Sequence, residues 1–431
     1  MRKLKNQQYD VIVIGGGPAG MMAAGRAAEL GARVLLVEKN ESLGNKLLMT
    51  GGGRCNVTQA EFDDKKLVAE IGKKGKFLFS SLSLFGPQEM MDFLAERKVP
   101  TKIEKGGKVF PVSDKAADVL RALKNYLQKN GVEILFGATV LGFEFSEDGN
   151  QKRITGVRLK NKIIHAKKFI LASGGKSYPA TGATGDGYSW ARDCGHKIIT
   201  PMPTLVPLKI QEKWVKEAQG VSLENVKISL VRGKLPVETR HCLVSTMGDA
   251  IFTHFGLSGP AVLNLSRKIT EFTPENMPLS ISIDLKPEID RKALDIFLQK
   301  DFIKFANKDI LNYLPELCPP KLAKIILRLA DILPAKKINI VTKLERACIV
   351  SLLKDLRLTV IGHTGFEQAM MTRGGVDLKE VEPKTLRSKI VPNLYLVGEV
   401  LDLDGPTGGY NLQIAWSTGH AAGTACGKIK E

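Results

Sequence analysis

Three short segments near the start of the chain show two kinds of apolar pattern. Residues 9–14 form an apolar run rich in β-branched side chains that ends in glycines, which predicts a buried parallel strand. Residues 19–30 are rich in Ala and Met and are followed by Gly31, which predicts a helix with a glycine cap. Residues 33–38 predict a second buried strand, so the three segments together predict a βαβ unit.

Similar patterns recur up to about residue 172 and again near the C-terminal end. They predict helices and strands, and the last two predicted strands run directly into glycine-containing turns. The predicted helices cover residues 114–130 and 413–426, and the predicted strands cover residues 132–140, 153–159, 168–172 and 393–397.

The middle of the chain differs, because short β-like runs broken by Pro and Gly are followed by a helical stretch rich in Lys and Leu. We interpret this middle as an insertion that splits a Rossmann-like α/β domain. The expected parts are an N-terminal segment, a β-barrel-like insert, a helical subdomain within it and a C-terminal segment. Their expected bounds are 1–193, then 194–287 with about 346–357, then 288–345, and finally 358–431.

Composition and cysteine spacing argue against a membrane span and a metal site. No apolar run approaches the roughly 20 residues that cross a bilayer, so we expect a cytosolic protein without a membrane span. The six cysteines are far apart and form no CxxC pair, so we expect reduced thiols and no metal site.

The formal net charge of +18 allows attraction to nucleic acid or to anionic cofactors. The basic residues are dispersed, and a solvated surface is the simpler interpretation, but a nucleic-acid partner stays open. The sequence leaves the oligomeric state open as well.

The segment from Gly15 to Gly20 matches the pattern G-x-G-x-x-G. In this pattern Gly15 permits a tight turn, Gly17 lets the backbone approach a pyrophosphate, and Gly20 lets the helix pack closely on the sheet. A carboxylate about 20 residues further on, here Glu38, accepts hydrogen bonds from the adenosine ribose. The expected contacts in this part of the site are Gly15, Gly17, Pro18, Ala19, Gly20, Glu38 and Lys39.

Two further segments favour FAD over NAD as the cofactor. Residues 170–175 resemble the strand-to-glycine turn of many FAD proteins, and residues 394–399 resemble their C-terminal flavin motif. In that motif an acidic residue holds the ribityl chain, and the next helix begins beside the flavin pyrimidine. Because that ring gains negative charge on reduction, a helix N-terminus stabilises it.

Longer motifs carry a resemblance to one family. Residues 47–58, 107–113, 177–187, 252–260 and 408–413 contain them, in order along nearly the whole chain. They resemble the GRCNxTN, GRVFP and SYPxTGxTGDG segments, and two further segments, of the BaiN/RdsA-type flavoproteins, also called the aminoacetone-oxidase family. Three departures, Gln59, Lys108 and Arg373, bear on the substrate or on the NAD(P)H preference rather than on FAD.

This resemblance implies a split FAD domain of the glutathione-reductase and fumarate-reductase type, with a β-barrel-like insert that carries a helical subdomain. It implies non-covalent FAD and redox chemistry on a small organic substrate. Members have been assigned amine oxidation and the reduction of activated double bonds in steroid-type acids. The cofactor contacts that we carry over are Gly53, Arg54, Cys55, Asn56, Val140, Ser173, Gly174, Gly398, Glu399, Gly409, Tyr410, Asn411 and Leu412.

Three residues are candidates for catalysis: Arg54, His254 and Tyr410. Arg54 can supply charge beside the flavin, His254 can act as an acid or base, and the Tyr410 hydroxyl can reach the substrate. Each also has a purely structural interpretation, as a loop-shaping, hydrogen-bonded or packing residue. The adjacent Cys55 is either a thiol of lowered pKa or a buried packing residue.

Three functions follow from these observations. The first is an FAD-dependent oxidoreductase, either an NAD(P)H-dependent reductase or an amine-type oxidase, in which NAD(P)H docks only transiently because the chain has a single dinucleotide fingerprint. The second is a flavoprotein that acts on RNA, and the third is a flavin-bearing sensor without turnover.

Overall fold

The computed structural model describes residues 9–148, 151–231, 242–269 and 277–428. The chain divides into two compact units. The first unit comprises Met1–Pro203 and Met370–Glu431, and the second comprises Thr204–Ala369. The sequence alone placed the corresponding divisions at 193/194 and 357/358.

The strands follow the chain in the order β1 to β18. They are β1 Tyr9–Ile14, β2 Val34–Val37, β3 Thr58–Gln59, β4 Thr101–Glu104, β5 Lys108–Pro111, β6 Glu133–Leu135, β7 Val140–Asp148, β8 Gln151–Leu159, β9 Ile163–Leu171, β10 Ile198–Thr204, β11 Leu208–Ile210, β12 Ser222–Val231, β13 Cys242–Phe252, β14 Gly256–Ser258, β15 Leu279–Asp284, β16 Leu356–His363, β17 Met371–Val376 and β18 Leu394–Leu396.

The helices follow the chain in the order α1 to α13, and short 3₁₀ turns lie between some of them. They are α1 Pro18–Glu29, α2 Asn45–Met49, α3 Asp64–Ile71, α4 Phe79–Leu84, α5 Pro87–Glu96, α6 Ala116–Lys129, α7 Asp186–Asp193, α8 Pro260–Lys268, α9 Arg291–Lys304, α10 Ile310–Tyr313, α11 Pro320–Leu329, α12 Lys343–Lys354 and α13 Tyr410–Gly427. Among the described residues, no helix combines the length and the apolarity needed to cross a bilayer.

A sheet at the centre of the first unit orders its strands β6-β2-β1-β9-β8-β7 within the described residues, and β18 also pairs with β9. Strands β1, β2, β9 and β18 are parallel, with Ile14 beside Val37 and Leu171. The carboxyl ends of these strands therefore lie at one edge of the sheet. Strand β1 lies between β2 and β9, so the strand order reverses beside it, and such a switch point is where open α/β sheets bind ligands.

Burial explains why this sheet forms. The apolar runs of β1 and β2 have almost no exposed surface, as expected for parallel strands covered on both faces. Helices α1 and α13 pack closely against each other, because a Cβ at Gly419 would lie 2.4 Å from the Ala19 carbonyl oxygen. The predicted Rossmann-like α/β class is confirmed.

The second unit contains a closed barrel, helix α8, and helices α9 to α12, which lie between β15 and β16. Within the described residues the barrel order is β11-β14-β13-β12-β15-β16, and β16 returns to β11. The segment 346–357, which we expected to be part of the β-barrel-like insert, contains the C-terminal part of α12 and the first two residues of β16. A capping box, in which Thr342 and Glu345 bond each other's backbone N–H groups, begins α12.

Candidate functional site

The turn after β1 gives each of its glycines a separate environment. Gly15 has φ of +106°, and a Cβ there would lie 2.4 Å from the Ala172 carbonyl oxygen. A Cβ at Gly20 would lie 1.9 Å from the Gly15 carbonyl oxygen, so α1 must pack directly on the turn. A Cβ at Gly17 would meet no atom within 4 Å. The N-terminus of α1, where Pro18 and Ala19 begin the helix, thus opens onto free space.

Glu38 lies at the carboxyl end of β2 and is only 7% exposed. Its carboxylate accepts hydrogen bonds from the Gly16 N–H at 2.7 Å and from the backbone and side-chain nitrogens of Asn40 at 2.8 Å. A carboxylate has about four acceptor positions, so about one position is left for a ribose hydroxyl. The neighbouring Lys39 forms an ion pair with Asp186 at 2.8 Å. Val140, another predicted cofactor contact, is buried at the start of β7.

The loop from Gly51 to Asn56 folds back on itself through left-handed residues. Gly51, Gly52 and Gly53 have φ of +59°, +67° and +89°, and a Cβ at Gly52 or Gly53 would meet no atom within 4 Å. Cys55 also has positive φ, of 62°, and its side chain has no exposed surface. The Asn56 Oδ1 atom is buried and has no hydrogen-bond donor among the described residues. This loop thus combines exposed backbone with an unsatisfied acceptor.

Burial decides between the two interpretations of Cys55. It raises the pKa of the Cys55 thiol to about 12, although a hydrogen bond with Thr50 acts in the opposite direction. A thiol in this state is protonated at neutral pH and is a poor nucleophile. The structure therefore favours the packing interpretation.

Helix α13 holds this loop in place. The Trp416 Nε1 donates to the Val57 carbonyl oxygen at 3.0 Å, and Thr58 Oγ1 donates to Gln413 Oε1 at 2.6 Å. A Cβ at Gly409, the residue before α13, would lie 2.3 Å from the Thr58 carbonyl group. The loop and the N-terminus of α13 are therefore neighbours.

The start of α13 presents backbone donors. The first intrahelical bond runs from the Gln413 N–H to the Gly409 carbonyl oxygen at 3.0 Å, so the N–H groups of Tyr410, Asn411 and Leu412 precede the helical ladder. The Asn411 side chain holds the preceding turn, because its Oδ1 accepts from the Gly405 N–H at 2.7 Å.

The turns after β9 and β18 complete this edge of the sheet. Ser173 Oγ is buried without a hydrogen-bond partner among the described residues, and Gly174 has φ of +74°. Gly398 has φ of +71°, and a Cβ there would lie 2.9 Å from the Ala19 Cβ at the start of α1. The predicted cofactor segments of the first unit thus lie along one edge of the sheet.

Glu399 makes more contacts than the sequence indicated. It is tied to Lys46 Nζ at 2.8 Å, to the Thr372 N–H at 2.8 Å and to the Ser177 hydroxyl. Sequence reasoning missed Lys46, Ser177 and Thr372, although each lies within or beside a motif that it singled out. A motif match shows that a residue type recurs, but not which distant side chain it contacts.

Asp402 and Asp404 are paired rather than available as an acid–base couple. Asp402 accepts from Lys74 Nζ at 2.6 Å and from the Gly374 N–H at 3.0 Å. Arg373, one of the departures from the family pattern, lies 3.3 Å from Asp404. Both carboxylates are 5% exposed and orient backbone and cations around the turn after β18.

Arg54 faces two carboxylates. Its guanidinium bonds Asp114 and Glu104 and stacks 4.0 Å above the Phe110 ring centroid. Hydrogen bonds to Glu104 and Asp114 raise the pKa of Arg54, and hydrogen bonds from Lys102 and Arg54 lower the pKa of Asp114. With its charge balanced in this way, Arg54 is suited to shaping the loop.

Tyr410 and His254 differ in environment. Tyr410 is 9% exposed, and burial, together with the charges of Glu70 and Glu61, raises its pKa to about 12, so the phenol stays protonated. His254 is exposed in the second unit, in the turn between β13 and β14, with its ring edge against Phe255.

These observations fit a bound dinucleotide in the first unit. The open side of Gly17, the unsatisfied Asn56 Oδ1 and the free N–H groups at the start of α13 are what a pyrophosphate and a polar ring require. Among the described residues, no group of three or more His, Cys, Asp or Glu residues could hold a metal ion.

Comparison with known proteins identifies the class. The pattern of the HI0933-like protein Rossmann domain matches residues 9–425, so the chain belongs to this family of FAD-binding Rossmann oxidoreductases.

Relatives from several bacteria match nearly the whole chain. A 3-dehydro-bile acid delta(4,6)-reductase of Clostridium scindens is 35% identical over 424 residues, covering 96% of this chain and 98% of that protein. A ribosomal RNA dihydrouridine synthase of Escherichia coli is 30% identical over 420 residues, covering 96% and 97%. Among solved structures, a flavocytochrome c3 fumarate reductase has a TM-score of 0.52 at 16% identity, covering 98% of this chain and 78% of that one.

Proposed function

We propose that this protein is an FAD-dependent reductase that saturates a carbon–carbon double bond conjugated to a carbonyl group in a small organic molecule. One observation supports it most: the N-terminus of α1, the loop from Gly51 to Asn56 and the N-terminus of α13 all lie at one edge of the sheet in the first unit. That edge can hold a dinucleotide along its length and present a reactive ring to a substrate.

The names of the relatives support the reaction class. A delta(4,6)-reductase of a 3-dehydro acid acts on double bonds conjugated to a ketone, and dihydrouridine is uridine with one ring double bond saturated. Both reactions add two hydrogens across an electron-poor double bond. FAD, when bound, would supply the hydride for such an addition.

The chain's own residues would then bind, orient and supply a proton. The N–H groups at Tyr410, Asn411 and Leu412 would stabilise negative charge beside the helix N-terminus. The protonated Tyr410 hydroxyl is our candidate donor to the substrate. Arg54 would hold the loop through Glu104 and Asp114 rather than touch the reacting atoms.

The test is an anaerobic titration of FAD-loaded protein with NADH and with NADPH, followed by visible flavin absorbance. We expect one nicotinamide to bleach the flavin and a 3-oxo-4,6-diene steroid acid to restore the colour. A Gly17→Val protein, which should bind FAD much more weakly, is the control for flavin reduction that does not depend on the site. Bleaching by a panel of small amines alone, reversed by air with peroxide release, would make the protein an oxidase.

RNA is the second candidate substrate. The relative from Escherichia coli and the net charge of +18 favour it. Its test is to incubate the reduced protein with a ribosomal RNA transcript and measure dihydrouridine by mass spectrometry. Dihydrouridine in the RNA, with no turnover of the steroid acid, would replace the first proposal by the second. Flavin that no donor reduces would favour a sensor.

A further inference from the structure

The ion pair between Lys46 and Glu399 lies where the sheet is expected to hold its cofactor. Lys46 is in α2, directly before the Gly51 to Asn56 loop, and Glu399 follows Gly398 in the turn after β18. The two residues are 353 positions apart, with Nζ and Oε2 separated by 2.8 Å. Their side chains are only 23% and 12% exposed.

A small network fixes both partners. Lys46 Nζ also donates to Ser177 Oγ at 2.5 Å, and the Ser177 hydroxyl donates to Glu399. The Thr372 N–H donates to Glu399 Oε1 at 2.8 Å, and Thr372 Oγ1 accepts from the Lys176 N–H at 2.8 Å. Three of the roughly four acceptor positions of the carboxylate are therefore in use.

About one acceptor position of Glu399 is thus left for a ligand, and this changes the role expected of the residue. A carboxylate that only held the ribityl chain would keep its acceptor positions for the ligand's hydroxyl groups. Here the carboxylate instead balances a cation from a separate helix, and a Cβ at Gly175 would lie 2.8 Å from its Oε1. The pair thus places one positive and one negative charge at the edge of the sheet where the cofactor is expected, and the two charges sum to zero.

We propose that Lys46 and Glu399 are positioning residues whose mutual neutralisation sets the reduction potential of the bound flavin. The inference rests on the proposed function, since it requires FAD at this edge. Reduction adds negative charge to the flavin. An unpaired Lys46 would therefore favour the reduced form, and an unpaired Glu399 would oppose it. With both present, the two effects cancel.

The experiment measures the reduction potential of the bound flavin in the wild-type protein and in four variants. Glu399→Gln leaves the cation and should raise the potential, whereas Lys46→Met leaves the carboxylate and should lower it. The double variant should return close to the wild-type value, and Lys46→Arg should stay close to it. We expect a change of about tenfold in the preference for reduced over oxidised flavin in each single variant, which is about 30 mV for a two-electron couple.

The matched control is Lys167→Met, which removes a lysine of an ion pair at the other end of β1. Lys167 lies 2.8 Å from Asp10, in the first residues of the sheet. This variant loses the same charge and should leave the potential unchanged. The dissociation constant of oxidised FAD, measured by fluorescence, is the second readout.

The signs of the shifts decide the inference. Opposite shifts that cancel in the double variant support it. Shifts of the same sign, or none, with FAD still bound, mean that the network only holds the loop, and they overturn it. If Lys46→Met loses FAD, a raised potential in Glu399→Gln together with an unchanged potential in Lys46→Arg supports the inference, and any other result overturns it. A wild-type protein that binds no FAD contradicts the proposed function itself.

Discussion

Gly17 and Gly20 belong to the same motif, but Gly17 faces open space and Gly20 faces the backbone of Gly15. The space beside Gly17 is open, so a side chain there would meet no protein atom and would obstruct only a bound ligand. A Cβ at Gly20 would collide with backbone, the Gly15 carbonyl oxygen, which no rotamer change can relieve. The two positions therefore separate cofactor binding from folding.

We expect Gly17→Val to weaken FAD binding by about 100-fold while the melting temperature of the FAD-free protein changes little, because an open surface site costs within about 0.5 kcal/mol. Gly20→Ala should instead cost at least about 1–3 kcal/mol of folding free energy. Fluorescence titration and thermal unfolding measure the two effects. Equal loss of stability in both variants would contradict the assignment of Gly17 to the cofactor.

A second prediction concerns the Tyr410 hydroxyl as a proton donor. Because its pKa is raised to about 12, it remains a proton donor throughout the usual assay range. Tyr410→Phe should lower kcat by about 10²-fold, the lower end for a general acid, while the dissociation constant of FAD stays within about threefold. Stopped-flow reoxidation by the substrate measures this. An unchanged reoxidation rate would leave Tyr410 with packing alone.

His420 predicts how stability depends on pH. Its ring stacks on Phe85, its Nδ1 is buried without a partner among the described residues, and burial lowers its pKa from 6.5 to about 4, helped by Arg26 and opposed by Glu29. The unfolded chain therefore binds more protons between these values, so stability falls as the pH drops from about 6.5 to 4.

Replacing His420 by Phe keeps the stacked ring and removes this titration. Between pH 7 and pH 5 the wild-type protein should lose about 2 kcal/mol more folding free energy than His420→Phe does. Urea unfolding of both proteins at the two pH values provides the comparison. Parallel losses would show that other groups cause the acid sensitivity.

At the scale of elements, the contact between α1 and α13 is made by small residues at matching intervals. Cβ atoms at Gly419, Gly423 and Gly427 would lie 2.4, 2.6 and 2.8 Å from the carbonyl oxygens of Ala19, Ala23 and Ala27. The helices therefore touch along their backbones. Helix α1 begins at the glycine turn after β1, and α13 begins beside Thr58 next to the Gly51 to Asn56 loop, so both N-termini belong to the candidate cofactor site.

Gly423→Val should separate the two helices and cost about 1–3 kcal/mol of folding free energy, because the added methyl groups meet backbone atoms. We also expect weaker FAD binding, since the N-terminus of α13 moves relative to the loop that Trp416 holds. Thermal unfolding and FAD titration measure both effects. Gly17→Val, measured without FAD, is the stability control for placing a branched residue at a glycine, because Gly17 has no positive φ and its Cβ would meet no atom within 4 Å.

Elements with local signals could be predicted from the sequence, and contacts between distant elements could not. The run 9–14 is observed as β1, and the predicted helix 413–426 is observed as α13, begun three residues earlier. In contrast, the barrel order and the contact between Lys46 and Glu399 depend on packing between segments far apart in the chain. Hydrophobic periodicity indicates which face of a helix or strand is buried, but not which other element packs against that face.

At the scale of the whole molecule, the chain leaves the first unit and returns to it at neighbouring points. A Cβ at Gly374 would lie 2.3 Å from the Thr200 carbonyl oxygen, and the Asp377 N–H donates to the Lys197 carbonyl oxygen at 3.0 Å. Strands β10 and β17 therefore run in opposite directions and form a two-stranded antiparallel sheet. Each unit also has its own apolar core, which is what an inserted domain requires.

The first unit should therefore fold and bind FAD without the second. We expect that replacing residues 205–369 by a short Asn-Gly turn gives a folded protein, because such a turn joins antiparallel strands directly. Every cofactor contact predicted from the sequence lies in the first unit, so FAD affinity should stay within about tenfold of the full chain's. Circular dichroism and FAD titration measure folding and binding separately. A folded deletion protein whose affinity falls more than about 100-fold would mean that residues of the second unit hold the cofactor as well.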